Sequence, residues 1–142
     1  MSLVRLFLDA NVLFSAAYGP AGRAAGLLKL AESGRCVLFT SPHAAAEARR
    51  NIRLKRPEAE KHLEDALAWV SLVGEARAED VNVGLEQGLP LKDTPIFGVA
   101  VRSDADYLVT GDVRHFGHLF DRVVGGVRVV TPATALAVLL EE

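Results

Sequence analysis

Four carboxylates, Asp9, Glu47, Asp93 and Asp112, stand at positions where one kind of fold would bring them together. Asp9 ends the aliphatic run at residues 3–8, and Asp112 follows residues 107–110 after one glycine that permits a tight turn. Both acids therefore leave the carboxyl ends of predicted strands, where an open parallel sheet places its ligand. Asp93 opens a helix at Asp93-Thr94-Pro95. Glu47 lies on a helix border beside Asn51 and the Ala44, Ala48, Ile52 stripe, turned partly inward by helical spacing. Each acid alone has an ordinary explanation. Asp9 and Asp93 can cap helices, Glu47 can be a solvated helix residue, and Gly-Asp is common in turns. The combination decides, because four converging carboxylates without a cation would repel one another and raise some of their pKa values. Such a cluster implies Mg²⁺ or Mn²⁺, hard cations that take oxygen ligands, and these support hydrolysis of phosphodiesters by polarising the phosphate and acidifying a water.

The elements that must position these acids follow from periodicity and punctuation. Residues 3–8 read as a strand and residues 10–17 as a helix that Gly19-Pro20 breaks. Residues 21–33 read as a second helix closed by Gly34, and residues 36–40 as a second buried strand. Ser41-Pro42 supplies an N-cap and a first-turn proline to a third helix reaching about Lys55. After Pro57, residues 58–73 place Leu63, Ala66, Leu67, Val70 and Val73 on one face of a fourth, amphipathic helix. Residues 80–88 form a short helix or turn, residues 96–101 the apolar body of a buried fifth helix, residues 107–110 and 127–131 two further strands, and residues 132–140 a terminal helix. Strands alternating with helices specify an α/β fold: a parallel sheet of about four to five strands, with helices on both faces and right-handed crossovers.

The chain of 142 residues fits one domain, 1–142, with enough burial for its own core. A hydrophobic fraction of 50% and a charged fraction of 24% exclude a disordered tail. The single cysteine, Cys36, excludes a disulfide framework and reads as a small buried hydrophobe. Arg5, Asp9 and Asn11 interrupt the apolar N-terminus, no small-residue cleavage site follows, and no apolar stretch is long enough to span a bilayer, so the expected location is the cytoplasm, without membrane association. The net charge of -2 gives no bulk basic footprint. Setting the four candidate ligands aside, however, leaves 14 of the 18 acids against 16 Lys and Arg, so acidity does not exclude a nucleic-acid substrate.

Four segments in order carry a family resemblance. They are Leu8-Asp9-Ala10-Asn11-Val12-Leu13-Phe14-Ser15-Ala16, Ser41-Pro42 through Glu47, Leu91-Lys92-Asp93-Thr94-Pro95-Ile96, and Ala105-Asp106-Tyr107-Leu108-Val109-Thr110-Gly111-Asp112 with Phe116 after it. Together they resemble the PIN domain family of metal-dependent ribonucleases, and are similar to stand-alone PIN proteins that are toxins of toxin-antitoxin pairs. The resemblance implies a PIN-like three-layer sandwich and an RNA substrate cut to leave a 5′ phosphate. It also implies an antitoxin partner and a homodimer. It places Asp9, Glu47, Asp93 and Asp112 in the four acidic positions and Asn11, Ser15 and Thr110 in polar support positions. Pro95 departs from the pattern, at a place where a first helical turn tolerates it.

Arg49, Arg50, Arg53, Lys55 and Arg56 crowd the end of the helix bearing Glu47, and Arg114, His115, His118 and Arg122 follow Asp112. Such runs are usually solvated faces. As phosphate contacts, Arg49, Arg50, Arg53 and Arg114 would add salt-dependent affinity without sequence choice. Lone histidines of this kind are more often surface residues than ligands. Asp104 and Asp106 are explained by turn chemistry, with Asp106 at most a second-layer support. Two other functions compete. A PIN-like module that binds RNA or a partner with little catalysis is disfavoured by the intact acid set. A phosphotransfer enzyme using Asp9 as nucleophile would want a second Asp two residues on, where Asn11 stands.

Overall fold

The computed structural model describes residues 3–141; the outermost positions of the expected 1–142 domain lie outside the described residues. Strand β1 (Val4–Leu8) leads through helices α1 (Ala10–Tyr18) and α2 (Arg23–Glu32) to β2 (Cys36–Thr40). Helix α3 (Pro42–Lys55), a 3-10 turn at Pro57–Ala59 and α4 (Glu60–Leu67) lead to β3 (Val70–Leu72). Helices α5 (Ala78–Glu86) and α6 (Thr94–Arg102) then precede β4 (Tyr107–Val109). The short α7 (Val113–Phe116), strands β5 (Val123–Val124) and β6 (Val127–Val130), and α8 (Pro132–Glu141) complete the chain.

The sheet order is β3-β2-β1-β4-β6-β5, parallel except for the β5–β6 hairpin. Val4 to Phe7 pair with Cys36 to Phe39 on one side of β1, and Leu6 to Leu8 with Tyr107 to Val109 on the other. These central strands are nearly all buried, and Phe7 meets Phe39 edge to face at 5.6 Å between ring centroids, as a sheet covered on both faces requires. Strand order reverses between β1 and β4, so a crevice opens beyond their carboxyl ends, directly past Leu8 and Val109.

The α/β class holds, but the sheet has six strands where four to five are expected. Two short strands make the difference. Residues 70–72 do not continue the fourth helix: it ends at Leu67, and Leu38 to Thr40 pair in parallel with Val70 to Leu72. Tertiary pairing along β2 overrides a helical periodicity that runs on for one more turn. The second addition, β5, hangs on β6 through Gly125-Gly126, whose φ values of 61° and 83° suit a two-residue hairpin turn.

Several local devices match the sequence. Ser41 Oγ accepts from the Ala44 backbone N–H at 3.1 Å, capping α3. Gly34 takes a φ of 74° just past α2. Cys36 is buried. One device leaves little trace in the sequence. Helices α5 and α6 cross so closely at two glycines that a Cβ on Gly98 would lie 2.0 Å from the Asp80 carbonyl oxygen, and one on Gly84 would lie 2.5 Å from Thr94 Cα. Asp80, buried, accepts from Arg102 Nε at 3.0 Å and from the Arg77 backbone N–H at 2.7 Å. In this clamp the Gly84–Thr94 approach fixes the start of α6, next to Asp93, and the Asp80–Arg102 pair fixes its far end.

Candidate metal centre

Beyond the ends of β1 and β4 the backbone turns are held by a closed set of side-chain hydrogen bonds. Asp9 Oδ1 accepts from the Ala10 backbone N–H at 2.7 Å, and Oδ2 accepts from Asn11 Nδ2 at 2.9 Å and from the Thr110 hydroxyl at 2.8 Å. Thr110 Oγ1 in turn accepts from Asn11 Nδ2 at 3.2 Å and from the Asp112 backbone N–H at 3.1 Å. Asn11 Oδ1 accepts from the Gly111 backbone N–H at 2.8 Å. Every donor and acceptor of Asn11 and Thr110 is thereby committed to tying one strand exit to the other. These bonds orient the Asp9 carboxylate and leave a lone pair free on Oδ1.

All four acids line one cleft of about 230 Å³. Asp9 and Asp93 are buried, Glu47 and Asp112 partly so. Burial pushes the Asp9 carboxyl up to about 6; the Thr110 hydroxyl and the Ala10 N–H oppose this, and the charges of Asp93 and Glu47 add to it. The Asp93 carboxyl is also raised, first by burial; His115 and Lys92 oppose the shift, while Asp112 and Glu47 reinforce it. The acids thus act on one another electrostatically, as a convergent cluster must.

Asn11 lines the same cleft, whereas Ser15 does not. Ser15 is exposed on α1, one turn further from the acids, and Phe14 occupies the place facing the cleft. On α3 the face bearing Glu47 continues to Asn51 and Lys55, which line the cleft with it. Arg49 and Arg53 point elsewhere: Arg49 forms a paired contact with Glu64 at 2.9 and 3.0 Å, and Arg53 lies 3.7 Å from Glu60, over a separate hollow between α3 and α4. Arg50 and Arg114 are exposed and line no part of the cleft. The cations beside the acids are Lys55 and Lys92. Lys92 immediately precedes Asp93, and Lys55 sits two turns beyond Glu47, a helical spacing that would have found it.

His115 is the largest surprise. Far from being a free surface residue, its Nδ1 is 2.9 Å from Asp93 Oδ2 and 2.9 Å from Asp112 Oδ2. Its position three residues after Asp112, on the same turn of α7, is the sequence signal for this. Asp106, by contrast, lies at the opposite end of β4 and accepts from the Arg5 backbone N–H at 2.8 Å, so it supports nothing in the cleft.

The site suits a divalent cation: ligand atoms of Asp93, Asp112 and His115 lie within 4.8 Å of one another, Asp9 and Glu47 line the same cleft as the two aspartates, the carboxyls of Asp9 and Asp93 have raised pKa values that a cation would reverse, and Asp93 Oδ2 is buried without a hydrogen bond among the described residues. Residues 5–114 match the family model described as PIN domain. This chain belongs to the PIN domain family. No curated protein matches it. Among solved PIN-like structures, PAE2754 from Pyrobaculum aerophilum is 22% identical, with a TM-score of 0.69 over 98% of this chain and 91% of that one. VapBC2 from Rickettsia felis, bound to a DNA fragment from its promoter, is 17% identical, with a TM-score of 0.66 over 90% and 98%. VapC20 from Mycobacterium tuberculosis, a sarcin-ricin loop cleaving toxin, is 15% identical, with a TM-score of 0.55 over 77% and 91%. At such identities the likeness is one of fold.

Proposed function

We propose that this PIN domain is a divalent-metal-dependent endoribonuclease that hydrolyses phosphodiester bonds in RNA, and that it is the toxin of a toxin-antitoxin pair. The observation that carries the first part is the convergence of Asp9, Glu47, Asp93 and Asp112 in one cleft of a PIN domain. These four residues would hold Mg²⁺ or Mn²⁺, which when bound supplies Lewis acidity toward a phosphate and acidifies a water. The chain itself does the rest. Asn11 and Thr110 keep the Asp9 carboxylate oriented into the cleft, and the α5/α6 clamp keeps Asp93 at its edge. Lys55 and Lys92 set positive charge at the rim, where it can seat the phosphates flanking the scissile bond. The toxin reading is supported by two structural neighbours, a toxin-antitoxin complex from Klebsiella pneumoniae and the sarcin-ricin loop cleaving toxin VapC20. An antitoxin protein, a homodimer and a cytoplasmic location belong to the same reading. No helix among the described residues is long and apolar enough to cross a membrane.

The test is incubation of the protein with defined RNA and DNA oligonucleotides in Mn²⁺, Mg²⁺ or EDTA, beside Asp9→Asn. Cleavage of RNA that needs the metal and disappears in the variant is the expected result. Equal cleavage in EDTA, or by Asp9→Asn, overturns the reading. Binding of RNA without cleavage under every condition would instead make the chain a PIN-like binding module.

A further inference from the structure

We propose that His115 is a metal ligand through Nδ1, making the centre a mixed nitrogen and oxygen site that prefers Mn²⁺ and related first-row ions over Mg²⁺. The inference rests on the metal-centre reading above but adds a donor of a different chemical kind to it. Its observation is a juxtaposition. Nδ1 of His115, Oδ2 of Asp93 and Oδ2 of Asp112 each offer a ligand atom, and all lie within 4.8 Å of one another. The nitrogen is 2.9 Å from each oxygen, yet neither contact has hydrogen-bond geometry: Nδ1 and Asp93 Oδ2 are both buried and without a hydrogen-bond partner among the described residues.

The competing reading is an imidazole that merely props the two carboxylates. A propping imidazole directs its one Nδ1–H along a line to an acceptor, and here the distances are right but that alignment is missing. Leaving buried polar atoms unpaired is costly, so their shared unpaired state points to something that both would bind. Ligand atoms at neighbouring corners of an octahedron with bonds of about 2.1 Å lie about 3 Å apart, which is the spacing found. Asp93 is buried and its Oδ2 is shut off from solvent, so this oxygen is not a solvated group that happens to pass by.

Donor type then sets selectivity. Mg²⁺ takes oxygen ligands almost exclusively and parts with its waters reluctantly. Imidazole nitrogen suits first-row transition ions such as Fe, Ni, Cu and Zn, and Mn²⁺, the weakest binder of that series and itself at home on oxygen, still takes a nitrogen donor more readily than Mg²⁺ does. The placement of His115 on α7 also makes sense as ligand architecture. The backbone N–H of His115 donates to Asp112 Oδ1 at 3.0 Å, which sets the spacing between the two residues on one short turn.

The experiment uses the whole protein stripped with EDTA and reloaded with Mn²⁺ alone. Pulsed electron paramagnetic resonance of the wild type should show modulation from a directly bound nitrogen, lost in His115→Ala. Calorimetric titration should show His115→Ala weakening Mn²⁺ by about tenfold or more and Mg²⁺ by less than about threefold, because only the nitrogen donor is removed. Absence of nitrogen coupling in metal-loaded wild type overturns the proposal whatever the variant does. So does an equal loss of Mn²⁺ and Mg²⁺ affinity, which would make His115 a positioning residue. The two readings fail separately: nitrogen coupling in a protein that cleaves no RNA removes the nuclease assignment and supports His115, whereas metal-dependent cleavage without that coupling does the reverse.

Discussion

The two ends of the β1/β4 pair carry similar residue types and treat them oppositely. At the entry end, the Asp106 carboxylate accepts from the Arg5 backbone N–H, and the Arg5 guanidinium donates to the carbonyl oxygens of Ser103 and Asp104. The acid and the cation there each close on the backbone, as a turn requires. A hollow of about 410 Å³ lies at this end, larger than the acid-lined cleft, but among the described residues it gathers only Asp106 and Arg128 as charged groups. At the exit end, Asp9, Glu47, Asp93 and Asp112 face one cleft, and burial and mutual repulsion raise the carboxyls of Asp9 and Asp93. Size is therefore the wrong guide to function in this molecule. Charges left without internal compensation are the better one, because a stable fold does not gather them unless something else neutralises them.

The largest effect should separate the two ends by activity. On the proposed function, Asp112→Asn is expected to lower metal-supported RNA cleavage by about 100-fold or more, since it removes a candidate ligand from the cleft, while Asp106→Asn should stay within about threefold of wild type. Circular dichroism on each variant keeps folding separate from chemistry. A full-activity Asp112→Asn would erase the distinction between the ends.

A second contrast is energetic and depends on pH. The folded-state pKa of Asp9 is raised from 3.8 to about 6, so the metal-free folded protein holds that proton more tightly than the unfolded chain does. The stability associated with Asp9 is then fully present below about 4 and is lost as pH rises toward and through 6, amounting to about 3 kcal/mol at neutral pH as an order of magnitude. Asp93, shifted in the same direction, adds to the loss. In EDTA, the melting temperature of wild type relative to Asp9→Asn should fall across this window. The change with pH is the quantity to read, because an Asn at position 9 also disturbs the bonds to Asn11 and Thr110. A difference that stays flat from pH 4 to 7 would show that the Asp9 carboxylate is not strained.

Metal should remove that strain. At a concentration about 100 times its Kd, Mg²⁺ or Mn²⁺ stabilises the folded state by about 2.7 kcal/mol. For a domain of this size the melting temperature should rise by roughly 5 to 10 °C. Asp112→Asn should gain less, and an equal gain would leave Asp112 a turn residue.

The exit end was also the more readable half of the sequence. Asp9 and Asp112 could be placed because each follows a buried aliphatic strand, and burial on both faces gives those strands an unmistakable composition. Glu47 could be turned inward by helical spacing alone. What escaped depends on contacts remote in sequence. Val70 to Leu72 continue an apolar helical pattern, and only pairing with Leu38 to Thr40 makes them a strand. The hairpin strand at Val123 was signalled by Gly125-Gly126, but two residues are too few to show a period. His115 carries no motif, and its role depends on Asp93 arriving from α6. The basic run after Glu47 divides between two faces of α3: Lys55 lines the cleft, whereas Arg49 and Arg53 turn to acids that α4 supplies, a pairing remote in sequence.

That last point gives the smallest and most discriminating prediction. Lys55 lines the cleft two turns beyond Glu47, with Nζ 5.7 Å from the centroid of the Phe14 ring, and has no carboxylate partner among the described ion pairs. Arg49 is committed to Glu64 through two hydrogen bonds on another face of the same helix. A cation that contacts an RNA phosphate releases a counterion, whereas one already paired with a carboxylate has less to release. For single-stranded RNA, each phosphate contact should contribute about 0.7 to the slope of log affinity against log salt. Binding is best measured in Ca²⁺ or with Asp112→Asn as background, so that cleavage does not intervene. Lys55→Gln should then flatten the slope by about that amount, and Arg49→Gln should leave it unchanged within about 0.2. Both substitutions remove one positive charge from α3, so an effect of net charge alone would move them together. If Arg49→Gln flattens the slope as much as Lys55→Gln, the phosphate path runs over the α3/α4 face instead of along the acid cleft.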